Sequence, residues 1–190
     1  TLFTKYFVDR HLFSSQIPAA TFLSLNPFFI LILSPLFVKL WAHLNTKEHK
    51  PSTPLKFSVG ILFAGLGFIT LALGGTYLSN TGQVNMNWII LTYLLHTIGE
   101  LSLAPIGLSA VTRLSPPKWV GALMGAWYLS MAFAEDLGAL MAKVTAASQG
   151  QADSLKVYTH LFTNIGELAI VIAILTFFAS PYIKRLTQSK

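Results

Sequence analysis

The chain lacks cysteine entirely and carries little charge. Without cysteine it has no disulfide framework, no thiol nucleophile and no cysteine-ligated metal site. Charged residues make up 11% of its 190 residues, whereas soluble domains average about 25%. The sequence also lacks a phosphate-binding glycine loop, a zinc-ligand spacing and a nucleophile elbow. We therefore expect neither an enzyme nor a bound metal or organic cofactor.

Apolar residues dominate what is present. Hydrophobic types account for 53% of the chain, and its mean hydropathy is +0.60. Apolar runs of about 18 or more residues are long enough for helices to cross a bilayer, so we predict an all-α integral membrane protein. The net charge of +6 would also suit a nucleic-acid partner. The basic residues flank the apolar runs, however, which favours membrane topology, and we expect no nucleic acid.

Five apolar segments are predicted to span the membrane as helices. Each has about 20 or more mostly apolar residues, which suits a hydrocarbon core of about 30 Å. They run about Ile17–Leu40, Phe57–Leu78, Met86–Val111, Val120–Val144 and Leu161–Ile183. Residues 1–16 are predicted to lie at the membrane interface on the outer side. The odd number of spans fits a fragment of a larger, even-numbered protein, and from the start at Thr1 we expect either a piece of a longer chain or a trimmed start.

Basic residues collect on one side of the predicted spans. Lys47, Lys50 and Lys56 follow the first span, and Arg113 and Lys118 follow the third. If the spans alternate, these residues share a side with the basic carboxyl terminus, and the positive-inside rule places that side in the cytoplasm. We predict a multi-pass protein of the cell inner (plasma) membrane with a cytoplasmic carboxyl terminus.

Glu100 lies near the middle of the third predicted span. A carboxylate at the bilayer centre costs about 2.5–3.5 kcal/mol on insertion scales, so such residues usually face a water-filled cavity, a cation or a partner side chain. We therefore predict that Glu100 carries a proton or anchors a cationic group. A salt bridge to a cation on another helix is the structural alternative.

Three further side chains in the spans suit a cavity. Asn26 either binds an amine or carboxylate of a substrate, or caps a carbonyl group that Pro27 frees. Trp127 lies too deep for the interfacial aromatic belt, so it either lines a cavity or packs against lipid or in the core. His96, four residues before Glu100 on the same helix face, is either a proton relay or a packed neutral histidine.

Ser102 and Tyr128 are candidate accessory residues beside these side chains. Pro27 and Pro105 interrupt the first and third spans and are candidate hinges, because a membrane proline frees a backbone carbonyl and lets a helix bend. A passive kink explains either proline equally well.

A long motif begins one residue before Glu100. The stretch from Gly99 to Pro116, GELSLAPIGLSAVTRLSP, resembles the pattern G-E-L-x-L-[SA]-P-x-G-L-S-x-V-T-[KR]-L-[AS]-P of the proton-dependent oligopeptide transporter family. Asn26-Pro27 resembles part of that family's eighth helix, and the stretch from Gly121 to Trp127 resembles its eleventh. The resemblance covers nearly all of the chain. It implies a bundle of helices eight to twelve of a major-facilitator fold, the carboxyl-terminal half only.

The resemblance implies a proton-coupled symporter of di- and tripeptides. Glu100 matches a tenth-helix glutamate that attracts the peptide amino terminus and takes part in proton coupling. Asn26 matches an eighth-helix asparagine that contacts the peptide, and Trp127 matches an aromatic residue of the side-chain pocket. The implied partners are the peptide, protons, the lipid bilayer and an amino-terminal six-helix half that this chain lacks.

Two other functions remain open from the sequence. The first alternative is a truncated or split membrane subunit with no transport activity alone. The second is a carrier of another small solute on the same scaffold. The stretch Ala134–Gly138 departs from the family, in which asparagine before a run of small residues is more usual. We expect the inner face of that helix to differ.

Overall fold

The computed structural model contains five long helices, one overlapping each predicted span, and their bounds differ from the predicted ones. It describes residues 2–12, 15–46, 51–77, 83–146 and 151–188. The α-helices in these ranges are α1 Leu2–Phe7, α2 Leu25–Thr46, α3 Thr53–Tyr77, α4 Met86–Leu114, α5 Val120–Ala146 and α6 Gln151–Gln188. The short strands are β1 Val8–Asp9, β2 His11–Leu12, β3 Ser15–Gln16 and β4 Val84–Asn85.

Four helical segments in the described part are long and apolar enough to cross a membrane. They are Ala19–Leu44, Thr53–Tyr77, Met86–Leu114 and Ser154–Ile183. The helix α5 has 27 residues, but the charged side chains of Glu135, Asp136 and Lys143 lower its hydropathy. Its passage through the membrane stays a prediction. Leu78 lies outside the described residues, and so do Lys47 and Lys50 of the basic loop.

The first membrane-length segment changes helix type part of the way along. Ala19–Ser24 form a 3₁₀-helix that continues directly into α2 at Leu25. Pro27 therefore lies in the first turn of α2, where a missing backbone N–H is best tolerated. The second predicted hinge, Pro105, lies inside α4, which runs from Met86 to Leu114 without a break. The role of either proline as a hinge stays a prediction.

The helix α3 is the element against which α4 and α6 pack most extensively. Small residues on its surface allow this, because they let two helix backbones approach closely. A β-carbon on Gly65 would lie 3.0 Å from the carbonyl oxygen of Gly166 in α6. On the opposite side, a β-carbon on Gly99 of α4 would lie 2.8 Å from the carbonyl oxygen of Gly60. Both neighbours of α3 are therefore held at backbone contact.

One end of the bundle, which we call the aromatic end, is closed by an apolar cluster that includes Phe3, Phe7, Phe22, Val84 and Tyr158. The ring of Phe3 lies 5.6 Å from that of Phe7 and 5.5 Å from that of Tyr158, measured between centroids. These contacts attach α1 to α6. Parallel pairing of β1 with β4 attaches the same segment to the start of α4.

Arg10 fixes the connection between α1 and α2. Its Nη1 donates a hydrogen bond of 2.7 Å to the carbonyl oxygen of Ile17, and the backbone N–H of Ile17 donates one of 2.9 Å to the carbonyl oxygen of Arg10. The strands β2 and β3 pair antiparallel between these two residues. The 3₁₀-helix that leads into α2 therefore starts from a fixed point at the aromatic end.

Candidate functional site

Glu100 and Asn26 meet between α2 and α4. Glu100 is the midpoint of α4, so about 20 Å of helix lies on either side of it at 1.5 Å per residue. Its side chain is exposed. Nδ2 of Asn26 donates a hydrogen bond of 3.0 Å to Oε2 of Glu100. The structure thus brings together two residues that the sequence predicts for one site, and their roles in binding stay predictions.

The pair can bind a cation as well as hold a proton. An ionised carboxylate offers about four acceptor positions, and the amide of Asn26 occupies one of them without adding charge. The remaining positions of Glu100 suit an ammonium group, which is a three-fold donor. When Glu100 is protonated, the group loses its negative charge but still accepts from the amide. The amide therefore suits both protonation states of the carboxyl group.

Trp127 lies on the face of α4 that carries Glu100, about two turns further along the helix. Its indole covers Gly107, because a β-carbon there would collide with the ring. Gly107 follows Glu100 by seven residues, which places both on one helix face about 10 Å apart along the axis. Asn26 on α2 and Trp127 on α5 therefore flank the same face of α4. Trp127 was predicted to line a cavity or to pack against lipid or in the core.

Trp127 lines an apolar cleft of about 300 Å³. Other residues that line the cleft are Phe57, Gly107, Val111, Leu114 and Leu123. Glu100 is outside this set, so the cleft and the polar pair are neighbouring parts of one face rather than a single pocket. An apolar cleft beside a carboxylate suits a ligand with an ammonium group and a separate apolar side chain.

His96 is directed toward α3. Its Nε2 lies 3.1 Å from the carbonyl oxygen of Ala64, and its ring centroid lies 4.8 Å from that of Phe68. Of the two alternatives from the sequence, this geometry favours the packed histidine. A role as proton relay stays a prediction that no contact with Glu100 supports in the described residues.

The two candidate accessory residues lie in contrasting places. Ser102 is 1% exposed, and its hydroxyl donates a hydrogen bond of 2.8 Å to the carbonyl oxygen of Ile98 in the same helix. Tyr128 is 56% exposed on α5. Ser102 is therefore unavailable to a ligand in this conformation, whereas Tyr128 is accessible. Among the described residues, no group of three or more histidine, aspartate or glutamate side chains could hold a metal ion.

The fold and this site define an all-α integral membrane protein with a polar pair on an accessible helix face. The sequence profile of the proton-dependent oligopeptide transporter (POT) family matches residues 1–161. The chain belongs to the POT family.

Bacterial permeases are similar to most of the chain. It is 34% identical over 188 residues to dipeptide and tripeptide permease A of Chromobacterium violaceum, covering 97% of the chain and 37% of that permease. It is 34% identical over 192 residues to dipeptide and tripeptide permease B of Photorhabdus luminescens, covering 99% of the chain and 40% of that permease. The chain thus spans well under half the length of these relatives.

Solved structures of POT transporters share its fold. The chain superposes on a peptide transporter POT in complex with sulfate with a TM-score of 0.82 and 34% identity, covering 97% of the chain and 35% of that structure. A POT family transporter in complex with a thioalcohol-conjugated peptide gives a TM-score of 0.79 and 33% identity, covering 96% and 36%. The bundle corresponds to helices eight to twelve of a major-facilitator fold, as predicted.

Proposed function

We propose that the chain is the carboxyl-terminal half of a proton-coupled symporter of di- and tripeptides, and that it binds the peptide amino terminus near the bilayer midplane. Family membership supports the class of substrate, because its relatives are named dipeptide and tripeptide permeases. The single observation that carries the proposal is the hydrogen bond from Asn26 to the exposed Glu100 at the midpoint of α4.

In this proposal the proton is the coupling ion and needs no organic cofactor. Ionised Glu100 binds the peptide ammonium group, with Asn26 holding the carboxylate in place. Protonation of Glu100 removes the negative charge and releases the ammonium group. Binding and proton transfer at one carboxyl group are thereby linked, because each changes the free energy of the other. Trp127 and the apolar cleft receive a peptide side chain.

The proposal places the protein in the cell inner (plasma) membrane with its carboxyl terminus in the cytoplasm. Arg113 and Lys118 then lie at the cytoplasmic ends of α4 and α5, in agreement with the positive-inside rule. An amino-terminal six-helix half, together with the seventh helix, would complete the transport path opposite the accessible face of α4. Rocking of the two halves about a midplane site would alternate access to that site.

Proteoliposomes provide the direct test. We expect peptide-dependent acidification of the lumen when the chain is co-reconstituted with an amino-terminal segment that supplies helices one to seven, and none with the chain alone. An N-acetylated dipeptide should fail to compete with the free dipeptide because it lacks the ammonium group. Competition only by non-peptide solutes would show a different carrier on the same scaffold. Absence of all transport when helices one to seven are supplied in this way would show a membrane subunit without transport activity.

Replacing Asn26 tests whether the amide supports the carboxylate. We expect Asn26→Leu to raise the KM for a dipeptide by about tenfold or more, because a hydrogen bond to a charged group contributes about 1.5–3 kcal/mol. Asn164→Leu makes the same change on α6, at an exposed side chain remote in sequence from the proposed site, and this control should leave KM unchanged. An unchanged KM in Asn26→Leu would remove the amide from the proposed site.

A further inference from the structure

A polar contact anchors α4 to α3 one turn before the site. The imidazole Nε2 of His96 lies 3.1 Å from the carbonyl oxygen of Ala64. The ring fills the space above Gly67, where a β-carbon would collide with it, and it lies beside Phe68. His96 is therefore held on three sides by α3, by one hydrogen bond and two packing contacts.

The contact belongs to a continuous seam between the two helices. One turn before His96, the hydroxyl of Thr92 donates to the carbonyl oxygen of Gly67 at 3.3 Å, and the hydroxyl is also bonded within its own helix. One turn after His96, Gly99 lies against the backbone of Gly60. In the described part of this seam, His96 is the long polar side chain, and it fits because Gly67 opposite it has no side chain.

The seam determines where Glu100 points. Successive residues of an α-helix are rotated by about 100°. Gly99 faces α3, and Glu100 is rotated about 100° from Gly99, so that its carboxylate reaches Asn26 on α2. Ser102, two residues further, is turned into the bundle and is 1% exposed. A rotation of α4 about its axis would move Glu100 away from Asn26 and expose Ser102.

We propose that His96 is a positioning residue, which holds α4 in one rotation on α3 by its bond to Ala64 and so directs Glu100 toward Asn26. Its effect on transport rests on the proposed function, whereas its effect on the orientation of Glu100 does not. In this role the side chain of His96 must form the hydrogen bond to Ala64, but it need not gain or lose a proton.

Two substitutions separate this role from that of a proton relay. Glutamine places an amide N–H donor at about the distance of Nε2, so His96→Gln should keep proton-driven uptake. Leucine fills similar space without a donor, so His96→Leu should raise the KM for a dipeptide by about fivefold, the effect of one lost neutral hydrogen bond. A relay would be lost in both variants. His160→Leu, on the exposed side of α6, is the matched control.

The orientation itself is measurable in the assembled protein without transport. Because the chain has no cysteine, a thiol introduced as Glu100→Cys or as Ser102→Cys is the chain's only labelling site. With native His96, a charged methanethiosulfonate should label Glu100→Cys quickly and Ser102→Cys slowly. With His96→Leu added, the labelling rate of Glu100→Cys should fall severalfold and that of Ser102→Cys should rise severalfold. With His96→Gln added instead, both labelling rates should equal those measured with native His96.

The outcomes keep the two proposals apart. Labelling rates that do not change in His96→Leu would overturn the positioning role, whatever the transport result. Loss of uptake in His96→Gln with native labelling rates would overturn the claim that proton exchange by His96 is not needed, because that result requires a titrating side chain. If the labelling rates change as expected but no peptide is transported by the native protein, the proposed function fails and the positioning role stands.

Discussion

Replacing Glu100 with glutamine will abolish accumulation of a dipeptide against its gradient in the assembled transporter. Glutamine has nearly the same shape and keeps an acceptor oxygen for the amide of Asn26, so the hydrogen bond between α2 and α4 survives. It cannot bind or release a proton at neutral pH, so coupling is lost. We expect the ratio of internal to external peptide to fall to about one, the value for passive equilibration.

Proteoliposomes with an imposed pH gradient measure this ratio directly, and counterflow without a gradient shows whether the path itself is intact. Glu167→Gln, the same change at an exposed carboxyl group of α6, should leave accumulation unchanged. Accumulation of peptide by Glu100→Gln at the native level would remove Glu100 from proton coupling and would shift attention to Glu135 and Asp136 of α5.

Replacing Gly99 with alanine will lower the thermal stability of the bundle, although alanine favours a helix more than glycine does. The new β-carbon would lie 2.8 Å from the carbonyl oxygen of Gly60 and 3.3 Å from the backbone nitrogen of Ala64. Both neighbours are backbone atoms, so α3 and α4 must separate. We expect a loss of about 1–3 kcal/mol, the usual cost of overpacking a tight interface. Thermal unfolding in detergent, followed by size-exclusion chromatography, measures it.

Replacing a glycine that has no close neighbours with alanine should not lower the stability of the bundle. Gly138 on α5 has nothing within 4 Å of the position that a β-carbon would take. Gly138→Ala should therefore be neutral or stabilise the protein by up to about 1 kcal/mol, the difference in helix propensity. Equal unfolding temperatures for Gly99→Ala and Gly138→Ala would contradict the close contact between α3 and α4.

The sequence predicts the helices and the importance of Glu100 for the same reason. A membrane-length apolar run is a strong local signal, and a carboxylate within such a run is conspicuous because it is costly there. The partner of Glu100 is not local, since Asn26 lies 74 residues away. The resemblance to the family assigns both residues to one site, but nothing in either segment specifies a direct contact between them, so only the folded structure identifies this hydrogen bond.

The spacing of residues along α4 did not identify the contact partner of His96. Its position four residues before Glu100 places it on roughly the same helix face, which leaves both a proton relay and a packed neutral histidine open. The packing of α4 on α3 instead gives His96 the carbonyl oxygen of Ala64 as its partner. Glycines in a membrane helix allow close helix packing, but the sequence does not identify which helix each glycine of α3 contacts. Gly60 and Gly67 contact α4, whereas Gly65 contacts α6.

Because α4 is restrained at the aromatic end, a tilt of this helix moves its other end the most. The pairing of β1 with β4 and the apolar cluster restrain the chain just ahead of Met86. From there α4 extends about 43 Å to Leu114, and a tilt of about 6° carries its far end through about 4–5 Å. Glu100 lies halfway along and travels about 2 Å, which is enough to break a hydrogen bond. A small angle at the pivot can therefore decide whether the carboxylate and the amide are in reach of each other.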